Sequence, residues 1–285
     1  MTFLNLIVLS VIQGLCELLP VSSSAHVILA EKLMGLDPTA PQMTLLLVML
    51  HTGTMLAVIV YFWKSWRDRY FSSLDVFWQF AKQVTVATAF TGVIGFALML
   101  LIERVILRGS AHNEIEQLFG NSYIIATGLA AAGVMIILSG KRQSLTGFRL
   151  LGIRESAWIG AVQGFCLPFR GFSRSGSTIS TGLFLGLDKV RVEEFSFALA
   201  VVLTPAVILK EGYRLIKADG GSLTTAGNIF SVAWPSLAGM FFSFMAGLIA
   251  LRWLSRWLEH GRWHFFGYYC LTASVVVLVA NRFLH

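Results

Sequence analysis

Residues 13–26 read Gln13-Gly-Leu-Cys-Glu-Leu-Leu-Pro-Val-Ser-Ser-Ser-Ala-His26 and interrupt an apolar run with polar, ionisable and helix-breaking side chains. Residues 163–178 have the same character and read Gln163-Gly-Phe-Cys-Leu-Pro-Phe-Arg-Gly-Phe-Ser-Arg-Ser-Gly-Ser-Thr178. We call these stretches the first and second motifs. Polar groups at membrane depth are costly unless they line a site. The two motifs therefore indicate both how the chain folds and where its chemistry lies.

The composition is that of an integral membrane protein. Of the 285 residues, 56% are hydrophobic and only 13% are charged, whereas soluble domains have about 25% charged residues. The net charge of +7 does not indicate a nucleic-acid partner, because the basic residues lie between hydrophobic segments rather than along one face.

Six apolar stretches are predicted to cross the membrane, since a spanning helix needs about 20 mostly apolar residues. Five of them contain no Asp, Glu, Lys or Arg: residues 43–63, 84–102, 122–139, 231–251 and 263–280. The sixth, residues 195–209, is shorter and is flanked by Glu194 and Lys210, whose charges can reach the interface.

Four shorter apolar pieces form two pairs, residues 3–19 with 23–36 and residues 157–168 with 175–187. Each pair is joined by a segment rich in Pro, Gly and Ser, and such short pieces are typical of re-entrant segments. The sequence therefore predicts two helical hairpins that enter the membrane and return to the same side.

The two motifs belong to an internal repeat. Matching residues are 150 positions apart or, in the last case, 151: Gln13 and Gln163, Gly14 and Gly164, Cys16 and Cys166, Ser23 and Ser173, and Gly35-Leu36-Asp37 and Gly186-Leu187-Asp188. Each half then contains one hairpin and three spans, and an odd number of crossings gives the second half the opposite orientation. We expect one membrane domain, residues 1–285, built from inverted repeats at 3–140 and 153–285.

Basic residues in short loops predict the orientation, since they favour the cytoplasmic side. The richer connections follow spans one, three and five and contain Lys64, Arg67, Arg69, Lys82, Lys141, Arg142, Arg149, Arg154, Arg252, Arg256 and Arg262. The poorer ones contain Arg104, Arg108, Glu103, Glu114 and Glu116, then Arg214, Lys217 and Asp219. Both termini and the entrance of the first hairpin are therefore expected on the extracytoplasmic side.

The first motif contains the parts of an activated nucleophile. Gln13 and Glu17 are about one helical turn apart and share a face, and Pro20 ends the helix. Three hydroxyls follow at the next helix start, with His26 in its first turn; they belong to Ser22, Ser23 and Ser24. A serine run at such a place is usually a helix cap, but a hydroxyl, an imidazole and a carboxylate together favour nucleophilic chemistry.

The second motif adds a cation, Arg174, among the hydroxyls of Ser173, Ser175, Ser177 and Thr178. A guanidinium can bind two phosphate oxygens at once, and the amides of a helix start can bind more. The alternative for Arg174 is an ion pair with Glu17, and Arg170 is either a second phosphate ligand or an interfacial anchor. His51, in the middle of the first span, is expected to support the site as a packing residue rather than act as a catalyst.

Together the motifs resemble the undecaprenyl pyrophosphate phosphatase family of the bacitracin-resistance type. The resemblance lies in Gln13-x-x-x-Glu17 with Pro20-Val21-Ser22-Ser23-Ser24-Ala25-His26, and in Gly171-Phe172-Ser173-Arg174-Ser175-Gly176-Ser177-Thr178. It implies hydrolysis of a C55 polyprenyl diphosphate, which recycles the lipid carrier of peptidoglycan synthesis. It also implies a bacterial inner-membrane protein with an extracytoplasmic active site, and catalytic roles for Glu17, Ser23, His26 and Arg174.

The resemblance further implies a divalent cation, Mg²⁺ or Ca²⁺, for which we expect Glu17 and Gln13 as ligands; Gln13 stands where many members have a second Glu. Substrate-binding roles are expected for Ser22, Ser24, Ser173, Ser175 and Thr178. Ser23 is the expected nucleophile, with His26 or Glu17 accepting its proton, and a phosphohistidine at His26 is the alternative.

Two rival functions remain at this stage. A transporter or flippase of polyprenyl phosphate would share the inverted-repeat architecture but would need no nucleophile. The type 2 phosphatidic acid phosphatases contain similar Ser-x-His and Ser-Arg elements, but their additional Lys and Arg motif is absent from this sequence. The sequence leaves a homodimer open.

Overall fold

The structure is a computed structural model and describes residues 2–36, 41–106, 121–142, 149–219 and 226–283. In these ranges the chain forms ten α-helices and no strand, with one isolated β-bridge between Arg149 and Leu187. The helices are α1 Phe3–Leu18, α2 Ser23–Leu33, α3 Pro41–Tyr70, α4 Leu74–Leu101, α5 Ser122–Arg142, α6 Ile153–Cys166, α7 Arg174–Phe184, α8 Lys189–Asp219, α9 Ala226–Glu259 and α10 His264–Phe283, and a π-helical turn, Ile102–Ile106, follows α4. The all-α prediction is confirmed.

Among the described residues, five helices contain stretches long and apolar enough to cross a membrane: Leu45–Tyr70, Leu74–Arg104, Ser122–Arg142, Trp234–Glu259 and His264–Arg282. They coincide with five of the six predicted spans. The sixth predicted span, residues 195–209, lies within α8, which is not among them. The side chains of Val207 and Lys210 lie outside the described residues, and the sixth span stays a prediction.

Both predicted pairs of short helices form, each around a break, and their re-entrant path in the membrane stays a prediction. In the first, α1 and α2 pack on each other, and the chain turns at Ser22, which has a φ of +67°. In the second, α6 and α7 pack on each other, and the break contains Gly171 with a φ of +94°. Such left-handed backbone is uncommon for a serine and ordinary for a glycine.

The helices divide into two compact units. The first consists of Met1–Leu19, Ser23–Lys64 and Ala200–Leu254, with a core that includes Leu6, Leu9, Leu46 and Leu50. Its helices approach closely at glycines. A Cβ at Gly14 of α1 would lie 2.5 Å from the carbonyl oxygen of Ser243, and one at Gly53 of α3 would lie 2.3 Å from that of Met240. Small residues at such crossings are typical of membrane helices.

The second unit consists of Pro20–Ser22, Ser65–Leu199 and Ser255–His285. Here α5 packs on α10 and α4 packs on α6. A Cβ at Gly160 of α6 would lie 2.1 Å from the carbonyl oxygen of Ala87. Trp263 is fully buried, and its Nε1 donates a hydrogen bond to Ser139 Oγ over 3.1 Å, which satisfies the indole N–H inside the core.

Two buried carboxylates lie at the start of α8, before its apolar stretch begins. Glu194 accepts hydrogen bonds from Ser65, from Arg69 Nη1 at 3.2 Å and from Tyr70 Oη at 3.0 Å. Glu193 is 2% exposed and accepts a hydrogen bond from Ser255 Oγ at 2.6 Å. Burial raises the pKa of Glu193 to about 8, although the bond from Ser255 lowers it.

Part of the predicted orientation and repeat falls on residues that lie outside the described structure. These are Asp37, Arg108, Glu114 and Glu116, together with the side chains of Lys210, Arg214, Lys217 and Asp219. The membrane orientation and the inverted relationship of the halves therefore stay predictions.

Candidate active site

Gln13 and Glu17 lie on the same face of α1, as their spacing predicted. Gln13 Nε2 lies 3.3 Å from Glu17 Oε2 and donates a hydrogen bond to it. The Gln13 side chain is buried, at 2% exposure, and the Glu17 side chain is 16% exposed. A carboxylate in such surroundings requires hydrogen-bond donors, and Gln13 supplies one of them.

Ser23 supplies a second hydrogen-bond donor to Glu17. It is the first residue of α2, and its Oγ donates a hydrogen bond to Glu17 Oε2 over 2.6 Å. This length is typical of a hydroxyl bound to an ionised carboxylate and lies within the range expected between a nucleophile and its general base. The turn at Ser22 directs the start of α2 back to the end of α1, which brings the hydroxyl and the carboxylate together.

The other polar residues of the first motif lie on both sides of Ser23. His26 is half-buried in the first turn of α2, three residues after Ser23, and Ser24 is half-buried between them. Ser22 is buried and forms the turn itself. A substrate-binding role for Ser22 and Ser24 and a catalytic role for His26 stay predictions.

His51 also lies at this carboxylate. Its Nδ1 is 3.1 Å from Gln13 Nε2 and 3.8 Å from Glu17 Oε2. The sequence predicts only a supporting role for His51, because a lone histidine inside a helix is usually a packing residue. The signal that would have ranked it higher is its place in the middle of a span, where an ionisable side chain is a functional candidate by default.

The second motif builds the start of α7. Ser173 is the N-cap, and its Oγ accepts a hydrogen bond from the N–H of Gly176 at 3.2 Å. Arg174 is the first residue of the helix and is half-buried. The predicted helix start is therefore confirmed, and its capping serine is identified.

The buried hydroxyls of α7 bond to the protein itself. Thr178 is fully buried, and its Oγ1 donates to the carbonyl oxygen of Arg174 at 2.9 Å and contacts Ser196 Oγ at 2.5 Å. Ser173 and Ser175 are also buried. These contacts hold the helix start in place, and the substrate-binding role predicted for Ser173, Ser175 and Thr178 stays a prediction.

The break before Arg174 is fixed against α5. A Cβ at Gly171 would lie 2.2 Å from the carbonyl oxygen of Ile125. In turn, a Cβ at Gly128 of α5 would lie 2.9 Å from the carbonyl oxygen of Arg170. The close backbone contacts at Gly171 and at Gly128 therefore set where α7 begins.

The tip of the first hairpin belongs to the same unit as the second motif. Pro20 Cβ lies 3.2 Å from the position that a Cβ on Gly176 would take. The carbonyl oxygen of Pro20 accepts a hydrogen bond from Cys270 Sγ at 3.2 Å. Within the second unit, Pro20, in the break of the first motif, therefore packs against the helix start of the second motif.

The two halves of the repeat differ in their chemistry. Gln163, the counterpart of Gln13, is fully buried and donates to Thr91 Oγ1 at 3.1 Å. Leu167 stands at the position that corresponds to Glu17. The second half therefore has the amide without the carboxylate, while its motif carries the arginine.

The carboxylate oxygens of Glu17 are ligands of the kind that Mg²⁺ and Ca²⁺ prefer. Among the described residues, no group of three or more His, Cys, Asp or Glu side chains could hold a metal ion. Mg²⁺ often binds through one or two carboxylates together with substrate phosphates. The carboxylate of Glu17 is a ligand of this kind, whereas Gln13 turns its amide nitrogen to Glu17, so the metal role expected for Gln13 stays a prediction.

Comparison with known proteins gives the same family as the motifs. The family model described as "Bacitracin resistance protein BacA" matches residues 6–276. A relative from Acinetobacter baylyi, "Undecaprenyl-diphosphatase 2", is 60% identical over 281 residues, covering 98% of each chain. Others named "Undecaprenyl-diphosphatase" come from Desulfosudis oleivorans, 31% identical over 95% of this chain and 96% of its own, and Rhodopirellula baltica, 28% identical over 98% of each. The chain belongs to the bacitracin resistance protein BacA family.

Proposed function

We propose that this membrane protein is a hydrolase that removes the terminal phosphate of undecaprenyl diphosphate, giving undecaprenyl phosphate and inorganic phosphate. The relatives reported above are named for this activity, one of them at 60% identity over nearly the whole chain. The observation that carries the chemistry is the 2.6 Å hydrogen bond from Ser23 Oγ to Glu17 Oε2, since it pairs a nucleophile with a base.

In the proposed mechanism Ser23 Oγ attacks the terminal phosphorus and Glu17 accepts the hydroxyl proton. The new Oγ–P bond forms as the P–O bond to the bridging oxygen breaks, and undecaprenyl phosphate leaves. Water then attacks the phosphoserine, and inorganic phosphate leaves as Ser23 regains a proton from Glu17. His26 is the alternative proton acceptor or, through a phosphohistidine, the alternative nucleophile.

Arg174 has the role of binding phosphate oxygens and stabilising the charge that develops on them. Its place at a helix start, with Ser173 as cap, supports this role because helix N-termini attract anions. Ser175 and Thr178 are proposed to complete the phosphate site, together with Ser22 and Ser24. A divalent ion held by Glu17 would offset the negative charge of the diphosphate when bound; Gln13 would contribute only its amide oxygen, because its nitrogen bonds to Glu17.

We also propose a membrane arrangement that goes beyond the five candidate spans. Residues 195–209 form a sixth span, both hairpins are re-entrant, and the halves are inverted repeats with the active site on the extracytoplasmic side of the bacterial inner membrane. The short hairpin helices and the distribution of Lys and Arg support it. Labelling single engineered cysteines in intact cells with a membrane-impermeant thiol reagent tests the orientation, and mass measurement in detergent tests the homodimer that the sequence leaves open.

A phosphate-release assay on the purified protein tests the proposal. We expect Ser23→Ala and Glu17→Gln to lower turnover at least about a hundredfold, because nucleophile and base act together. Ser10→Ala is the matched control, since it also removes a hydroxyl, one that lies in α1 and donates to the carbonyl oxygen of Leu6. Wild-type turnover by Ser23→Ala would remove Ser23 from the mechanism. A protein that moves the lipid without releasing phosphate would instead be a flippase.

A further inference from the structure

His51 is connected to the proposed base through Gln13. The Gln13 amide nitrogen lies 3.3 Å from Glu17 Oε2 and 3.1 Å from His51 Nδ1. A carboxylate oxygen that already accepts the Ser23 hydroxyl can only accept again, so the amide must present its nitrogen rather than its oxygen. The amide nitrogen carries two hydrogens and can donate to both neighbours. His51 Nδ1 is therefore the acceptor, and the ring proton lies on Nε2.

Because Gln13 is buried, its second amide hydrogen needs His51 Nδ1 as an acceptor. Gln13 is 2% exposed, so an amide hydrogen without a partner would remain unsatisfied, and the amide would rotate in search of one. With His51 as the second acceptor, one amide orientation satisfies both hydrogens. In that orientation Gln13 donates to the same carboxylate oxygen that accepts the Ser23 hydroxyl.

Backbone contacts with α9 fix the distance between Gln13 and His51. In the first unit, Ser243 of α9 donates a hydrogen bond to the carbonyl oxygen of Leu50, the residue before His51, at 3.0 Å. The carbonyl oxygen of Ser243 lies against Gly14, the residue after Gln13. Ser243 of α9 therefore contacts both α1 and α3 next to Gln13 and His51.

We propose that His51 is a positioning residue that fixes the Gln13 amide and thereby the Glu17 carboxylate for removal of the Ser23 proton. This inference rests on the proposed function, because it assumes that Glu17 is the base. It deepens that function by assigning a third polar residue to the carboxylate. In the second half of the chain, Gln163 donates to a threonine instead.

Two replacements of His51 separate positioning from packing. Asparagine places its Oδ1 on Cγ, at the position of Nδ1, and keeps an acceptor for Gln13. Leucine has a similar size and no acceptor. We expect His51→Leu to lower kcat about tenfold to a hundredfold with little change in KM, the usual effect of losing such a supporting contact, and His51→Asn to retain most of the turnover. Thr52→Val is the control, because its hydroxyl bonds only within α3, to the carbonyl oxygen of Val48.

The outcomes distinguish the inference from the proposed function. Full activity of Glu17→Gln would overturn the base, and the inference with it. An inactive Glu17→Gln with an unimpaired His51→Leu would overturn the inference alone. Equal losses in His51→Leu and His51→Asn would show that the ring rather than the acceptor matters, and would also overturn it. In a Gln13→Leu background, His51→Leu should cause no further loss. If His51→Leu fails to fold, His51→Gln replaces it, because its longer side chain moves the acceptor away from Nδ1.

Discussion

Replacement of Glu193 by glutamine is expected to remove much of the pH dependence of the protein's stability. Glu193 is 2% exposed and accepts a hydrogen bond from Ser255. A glutamine can accept the same bond through its amide oxygen, and it carries no proton that titrates. The substitution therefore isolates the cost of charging this buried carboxyl.

The magnitude follows from the pKa of Glu193, which burial raises from an ordinary value of 4.5 to about 8. Between these two pH values the folded state binds a proton that the unfolded state has lost, so the free energy of unfolding falls as pH rises. Each pKa unit corresponds to about 1.4 kcal/mol, which gives a total loss of about 5 kcal/mol. The contribution is fully present below pH 4.5 and absent above pH 8.

Thermal unfolding of the purified protein in detergent, recorded from pH 4.5 to 8.5, measures this effect. We expect Glu193→Gln to match the wild type at low pH and to exceed its melting temperature increasingly as pH rises. Asp68→Asn, which removes a carboxylate from the exposed pair with Arg67, shows the effect of a single charge alone. Parallel profiles for the wild type and Glu193→Gln would refute the reasoning.

Three further predictions concern the second motif and the metal. Gly171→Ala should prevent correct folding, because its Cβ would lie 2.2 Å from a backbone oxygen of α5; Gly35→Ala, with a similar positive φ and open space around it, should cost only about 1–2 kcal/mol, and equal melting temperatures would contradict this. Thr178→Val should lower stability by about 1–3 kcal/mol, since it removes the buried hydroxyl bond to Ser196, and an unchanged melting temperature would argue against it. Chelation with EDTA should abolish phosphate release, and Mg²⁺ or Ca²⁺ should restore it. Phosphate release that persists in EDTA would contradict a metal at Glu17.

The features that the sequence predicted correctly are local ones. Pro20 and Gly171 mark the two breaks because each restricts or extends the backbone at its own position, and Ser173 was recognisable as part of a helix start. Gln13 and Glu17 share a face because four residues complete about one helical turn. Each of these features follows from the backbone geometry of a single segment.

The features that the sequence missed depend on packing between segments. The resemblance predicted Ser23 as the nucleophile, but the bond from its hydroxyl to Glu17 depends on the turn at Ser22, which no local pattern predicts. The partner of His51 lies 38 positions away. The role of His51 follows from the close crossings of α1 and α3 with α9, which a pattern of single residues does not reveal.

The central claim is that Ser23 attacks phosphorus while Glu17 accepts its proton, and trapping the covalent intermediate tests it most directly. The protein is mixed with undecaprenyl diphosphate labelled with ³²P in its terminal phosphate, quenched in acid within the first turnover and digested for mass spectrometry. The account predicts an acid-stable phosphate on Ser23 that is absent from Ser23→Ala and greatly reduced in Glu17→Gln. An acid-labile phosphate on His26, or labelling that persists in Ser23→Ala, would contradict it.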